Sequence, residues 1–267
     1  MSEPDRAPYR LEPARIPLLI DVPHAGTGLP AELAQALTPE AARFPDTDWH
    51  VDRLYEFASA AGAGRMTARL SRYVVDLNRH PQGIALYPGA DNTELVPLKR
   101  FDGGPIWQTG FFPDAAEVAR RRAAYWQPYH ERLEAEIQAL KARFGYVILL
   151  DAHSIPAQVP RFFQGRLPDL NLGTADGQSA QPSLIDAAWK VVESAPGFSA
   201  IRDGRFKGGY ITRHYGRPAE GVHALQLEIV QASYMDEADP TIFDVRRANP
   251  LIGVLERLVD ALSSWRP

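Results

Sequence analysis

Two histidines, one glutamate and a group of arginines carry most of the chemistry this sequence offers. His24 follows an apolar run in "DVPHAG", and His153 follows another in "LLDAHS", close to Asp151 and Ser154. Two imidazoles and a carboxylate are a common catalytic zinc set that leaves a fourth position for water. The carboxylate has three sources in "DTDWHVD", residues 46–52: Asp48, Asp52 and Asp46, in that order of preference. One of these acids is expected only to cap a helix. The spacing is not a compact HExxH motif, so a helix-capping or packing role for His24 stays open beside the metal role. Such donors also accept other divalent ions, so the expected cofactor is Zn2+ or another divalent metal.

Glu228 lies in "HALQLEI", where apolar positions alternate with Ala224, Gln226 and Glu228. A glutamate inside an apolar strand must be paired, be protonated or face a polar cavity. It serves either a structural ion pair or general base catalysis, since burial lifts a carboxyl pKa towards working pH. Asn78 and Arg79 close "VVDLNR". Arg79 either pairs with Asp76 or receives a substrate carboxylate as a two-pronged donor. "GRFKGGYITRHYG" (204–216) adds Arg205, Lys207, Arg213 and His214 among four glycines that let backbone approach a ligand. With no GxxxxGK[ST] pattern, recognition of a small acid fits better than phosphate binding. Ser154 lacks the GxSxG surround of a serine hydrolase nucleophile.

These residues sit where elements end. Strands are expected over 16–26, 72–81, 146–150 and 222–230, and helices over 48–62, 114–143, 183–194 and 241–264. The strand over 146–150 is expected to stop at Asp151. Pro128 should kink or divide its helix, and Gly145 should cap it. The strand ends bring Asp21 and His24, Asp76 with Asn78 and Arg79, Asp151 with His153, and Glu228 to one polar edge, where α/β folds keep their ligands. Strands separated by helices predict an α/β fold with a mixed, largely parallel sheet and helices on both faces. Segments 82–113 and 155–181 keep aromatics such as Tyr87, Trp107, Phe162 and Phe163, and read as ordered loops over the site.

No repeat or low-complexity linker divides the 267 residues, so one α/β domain is expected, with 1–15 as an N-terminal extension. A formal net charge of −4 gives no footprint for nucleic acid. The absence of cysteine excludes disulfides, thiolate metal ligands and cysteine nucleophiles. No run approaches ~18 uninterrupted apolar residues and the start has no apolar leader, so a soluble, cytoplasmic protein without a membrane partner is expected.

Taken in order, "DVPHAGTGLP", "DTDWHVDRLY", "VVDLNRHP", "LLDAHSIP", "GRFKGGYITRHYG" and "HALQLEI" resemble the N-formylglutamate amidohydrolase (deformylase) family of histidine degradation, from about residue 16 to about residue 237. The resemblance implies an architecture similar to zinc carboxypeptidases and aspartoacylases. It implies metal binding by His24, His153 and an acid from 46–52, and Glu228 as the catalytic carboxylate. Asn78 and Arg79 resemble the Asn-Arg pair that holds a substrate carboxylate in carboxypeptidases. Those enzymes place Glu three residues after the first His, where this chain has Thr27, so the acid must come from elsewhere. The implied substrate is a small dicarboxylate, with Arg79 and either Arg205 or Arg213 on its two carboxylates and Asp151 orienting His153. A related zinc amidohydrolase for another N-acyl amino acid, or a non-catalytic binder of small acids, are the alternatives.

Overall fold

The strand that carries His153 does not stop where its apolar run does. In the computed structural model, which describes residues 7–86, 89 and 91–267, it continues through the acid and the imidazole to Ile155. Tyr87 of the expected loop lies outside the described residues, as do residues 1–6, 88 and 90. Seven strands form one sheet: β1 (Tyr9–Glu12), β2 (Leu18–Val22), β3 (Gly64–Ala68), β4 (Val147–Ile155), β5 (Leu170–Gly173), β6 (Ala200–Arg202) and β7 (Val222–Val230), in the order β1-β3-β2-β4-β7-β5-β6. The centre, β3-β2-β4-β7, is parallel, while β1 and β5 run antiparallel to their neighbours β3 and β7. The fold is therefore a mixed α/β sheet, as expected. Part of the expected N-terminal extension is an edge strand, and the expected loop 155–181 contains β5.

The helices are α1 (Ala31–Ala34), α2 (Val51–Leu54), α3 (Ala115–Arg121), α4 (Gln127–Phe144), α5 (Pro182–Glu193), α6 (Tyr210–Tyr215) and α7 (Val245–Ser264). Alternate strand residues face opposite ways, and this sorts the core into two layers. Leu18, Ile20, Ile148, Leu150, Leu225 and Leu227 pack against α2, α5 and α7. Leu19, Met66, Val147, Leu149 and Ala224 pack on the other face against α4 and α6. The helix expected over 48–62 is shorter than that: α2 gives way at Tyr55 (φ −102°, ψ 14°) to a 3-10 turn, Glu56–Ser59.

The expected strand over 72–81 does not form. Tyr73 and Val74 point into a small cluster with Leu33 and Trp107, whereas Val75 and Leu77 join the α4 layer. The segment runs as successive turns, with Val74 N–H on Ser71 O and Arg79 N–H on Asp76 O. The strand beside β2 is instead β3, "GRMTA", whose short polar sequence shows little period-2 signal. Pro128 divides its helix as anticipated: α3 passes through a π turn, Arg122–Trp126, into α4, with the proline in the first turn of α4. The pyrrolidine removes one donor and crowds the carbonyl four residues back, which a widened turn relieves. Gly145, at φ 84°, caps α4. No helix among the described residues is long and apolar enough to cross a membrane.

Candidate active site

On the α4 face, β2, β4 and β7 each turn from apolar to polar towards their carboxyl ends. Leu19 is followed by Asp21, Leu149 by Asp151 and His153, and Ala224 by Gln226 and Glu228. The parallel register aligns Asp21 with Asp151, Asp151 with Gln226, and His153 with Glu228. These three fully buried strands thus deliver a row of polar groups to one edge.

His24 arrives on the turn after β2, and its ring centroid lies 5.0 Å from that of His153. Its Nε2 meets Asp76 Oδ1 at 2.8 Å, while His153 Nε2 meets Asp151 Oδ1 at 2.7 Å. Both imidazoles are therefore held from behind by a buried carboxylate. Such a partner fixes the ring and leaves the other nitrogen, Nδ1, to face a cation. His153 Nδ1 stands 2.9 Å from Asp48 Oδ2, and His24 Nδ1 stands 3.8 Å from the same oxygen. Donor atoms of His24, Asp48 and His153 all lie within 4.8 Å of one another, and all three residues are buried. Two nitrogens and a carboxylate at this spacing fit a zinc-like ion.

Asp48 alone of the three acids joins this set. Asp46 accepts the Phe101 N–H with both carboxylate oxygens, at 3.1 and 3.0 Å, and burial lifts it to about 6. Asp52 accepts from Arg10 at 3.1 Å nearer the surface and from the Arg53 N–H.

Arg72 is a site residue that sequence reasoning missed. Its Nη2 stands 2.5 Å from His24 Nδ1 and donates to Asp48 Oδ1 at 2.7 Å. The signal was an arginine inside the apolar run "SRYVVDL", a charge that must find partners once buried. Burial would raise the Asp48 carboxyl, but Arg72 and His153 hold it below its ordinary range. Burial likewise opposes charge on His153, yet Asp151 and Asp48 raise its pKa well above the usual imidazole value. For His24, burial and the Arg72 cation together lower it, against the pull of Asp76.

Glu228 faces the same cleft, 7% exposed, and burial pushes its carboxyl up to about 8. Gln226 is a second missed residue. It accepts the Gly209 N–H through Oε1 at 2.7 Å, which turns its Nε2 towards Glu228 Oε2 at 3.3 Å. Asn78 lines the cleft with its amide engaged by neighbours. Its Oδ1 accepts the Ile211 N–H at 2.8 Å, and its Nδ2 donates to Asp151 Oδ2 at 3.2 Å, 2.8 Å from His153 Nε2. Arg79 and Arg205 line the cleft with Glu228, whereas Arg213 borders an adjoining pocket with Arg79, Tyr210 and His214. Thr93 Oγ1 accepts from Arg79 Nε at 2.9 Å, and the Phe162 carbonyl accepts from Arg205 Nε at 2.7 Å. Phe101, Phe162 and Phe206 add apolar wall. The Ser154 hydroxyl is taken up by Tyr234 OH at 2.8 Å and Gln231 Nε2 at 3.3 Å.

Comparison with known proteins gives a consistent set of relatives. The family model described as N-formylglutamate amidohydrolase matches residues 16–235. The chain is 47% identical to an N-formylglutamate deformylase of Pseudomonas aeruginosa over 251 residues, covering 94% of each chain. It is 45% identical to one of Pseudomonas putida, with the same coverage. Among solved structures it resembles an N-formylglutamate amidohydrolase from Ralstonia eutropha JMP134, with 29% identity, a TM-score of 0.79, and 96% and 98% of the two chains covered. A protein from Agrobacterium tumefaciens shares the fold at 20% identity, with a TM-score of 0.73 over 99% and 98% of the chains.

Proposed function

Because the chain belongs to the N-formylglutamate amidohydrolase family, we propose that it hydrolyses the formyl amide of N-formyl-L-glutamate, releasing formate and L-glutamate. The reading rests above all on one observation. Two buried imidazoles, each held at Nε2 by its own carboxylate, turn Nδ1 towards Asp48, with Glu228 in register beside His153. His24, Asp48 and His153 would hold a divalent metal, zinc foremost, which when bound polarises a carbonyl and acidifies water. Fold-level likeness to zinc carboxypeptidases belongs to this reading, as does a place in histidine degradation in the cytoplasm.

Glu228 takes a proton from the attacking water and hands it to the departing amine, so it must be ionised at the start and neutral midway. Arg72, fixed beside His24 and the cleft, stabilises the negative charge that grows on the formyl oxygen. Arg79 and Arg205 receive the two carboxylates, because planar guanidinium forks suit carboxylates better than ammonium groups. Gln226 aims Glu228, and Asn78 with Asp151 aims His153. The aromatic wall excludes water around a small, extended acid.

The test is turnover and metal content measured together. Purified protein should hold about one divalent ion per chain and prefer N-formylglutamate to N-formylglutamine and N-formylmethionine. His153→Ala should lower metal content and turnover in parallel. Full activity in protein stripped of metal by a chelator would overturn the metal site, and equal turnover of the three substrates would overturn diacid recognition.

A further inference from the structure

The segment 72–81 supplies Arg72, Asn78 and Arg79 to the cleft and Asp76 to His24 behind it, yet it lies in no strand or helix. Its buried carbonyls therefore need partners from outside. One continuous helical rod, α3 through the π turn into α4, provides them. Arg121 Nη1 donates to the carbonyls of Tyr73 and Val74, at 3.3 Å each. Trp126 Nε1 donates to Arg79 O at 3.2 Å, and Arg122 Nη1 to Pro81 O at 3.3 Å. His130 Nε2 donates to Leu77 O at 2.9 Å, and its Nδ1 accepts from Tyr215 OH at 2.9 Å, which fixes that tautomer. Arg121, Trp126 and His130 are all buried.

In an unbroken α-helix, residues five apart point about 140° away from each other, so Arg121 and Trp126 would not face the same segment. Between them runs the π turn Arg122–Trp126, whose i→i+5 bonding brings such residues onto one side. Trp126 and His130, four apart and stacked with ring centroids at 3.8 Å, continue that line along α4. The π turn thus sets the phase with which one rod reads both halves of the segment. Arg79 in turn leans on that backbone, since its Nη1 donates to Asn78 O at 2.9 Å.

We propose that Trp126 and His130, phased by the π turn, are positioning residues that hold the Asn78–Arg79 backbone and so set substrate-carboxylate affinity. This rests on the reading of Arg79 as a carboxylate receptor. An interaction that binds ground state and transition state alike appears in KM and leaves kcat unchanged. Trp126→Phe keeps an aromatic ring beside His130 and removes the donor to Arg79 O. Its KM for N-formylglutamate should rise on the order of tenfold with kcat little changed. On an Arg79→Lys background the same change should add almost nothing.

A second readout needs no substrate. The Arg79 Nε–H, held by Thr93, should give a protected signal in nitrogen-15 NMR that broadens and exchanges faster in Trp126→Phe. If that variant does not fold, Arg122→Met removes the donor to Pro81 O from a half-buried site, and the same signal should respond. An unchanged Arg79 signal with unchanged KM overturns the proposal, as does a fall in kcat at constant KM. If N-formylglutamate is not turned over by the wild type while the signal moves as stated, the substrate reading falls and the positioning role stands.

Discussion

Glu228 shows how one side chain is prepared by its surroundings. It sits in a strand buried along its whole length, and burial raises its carboxyl from 4.5 to about 8. In the unfolded chain it releases its proton near 4.5, whereas the folded protein retains it up to about pH 8. The folded state therefore keeps its full stability below the unfolded value and loses it as pH rises through the folded one. Glutamine removes this titration without changing shape. In metal-free protein, the melting temperature of Glu228→Gln relative to wild type should therefore rise steadily between pH 5 and pH 8. With metal present, the same variant should keep fold and substrate binding while turnover falls ~10²–10⁴-fold. An active Gln variant would reassign Glu228 to a structural ion pair. Its isolation in an apolar strand made Glu228 legible from sequence. Arg72 was hidden because its role depends on where a non-local imidazole and carboxylate arrive.

At the scale of elements, the long runs were readable and the short ones were not. β2, β4 and β7 carry continuous apolar sequence because both their faces are covered, and α5 and α7 show clear helical periods. "RYVVDLNRHP" has the same apolar density as a strand, but its side chains are shared between two clusters and its carbonyls are met by a helix. No local pattern encodes that. β3 and β5 are held by neighbours more than by their own propensity. Glycines in "KGGY" suggested a ligand loop, and at Gly209 the reason is closer to home. A Cβ there would lie 2.4 Å from Asn78 Nδ2, at an ordinary φ of −82°. Gly209→Ala should therefore displace the amide that contacts Asp151 and His153, while leaving the backbone of α6 unstrained. Disturbing a partner of a metal-binding imidazole typically costs ~10–100-fold in activity or metal affinity. Isothermal titration with zinc and a rate assay would show it, and wild-type values for both would mean that Asn78 moves aside freely.

Across the whole molecule, the site is a problem of charge balance. Asp21, Asp48, Asp76, Asp151 and Glu228 are all buried within one polar edge, and Arg72 is the buried guanidinium placed among them. Burial and the neighbouring Asp151 raise Asp21 well above the usual carboxyl range, while Tyr129 OH, donating to it at 2.5 Å, opposes that rise. The anions still call for added positive charge, and isolated buried charges are costly. A divalent ion at His24, Asp48 and His153 supplies that charge to the folded state alone. At a hundred times its dissociation constant, such an ion adds about 2.7 kcal/mol of stability. Arg72 spans His24 and Asp48, so chelation should lower the melting temperature by degrees without unfolding the protein. Ion and guanidinium compete for the same two atoms, His24 Nδ1 and an Asp48 oxygen, so their contributions should not add. Arg72→Met should therefore destabilise the chelated protein more than the zinc-loaded one, since without the ion Asp48 relies more on the Arg72 guanidinium. Thermal unfolding of wild type and variant, each with excess zinc and with chelator, measures that difference directly. Equal losses in the two conditions would mean that Arg72 supports the fold independently of the metal donors.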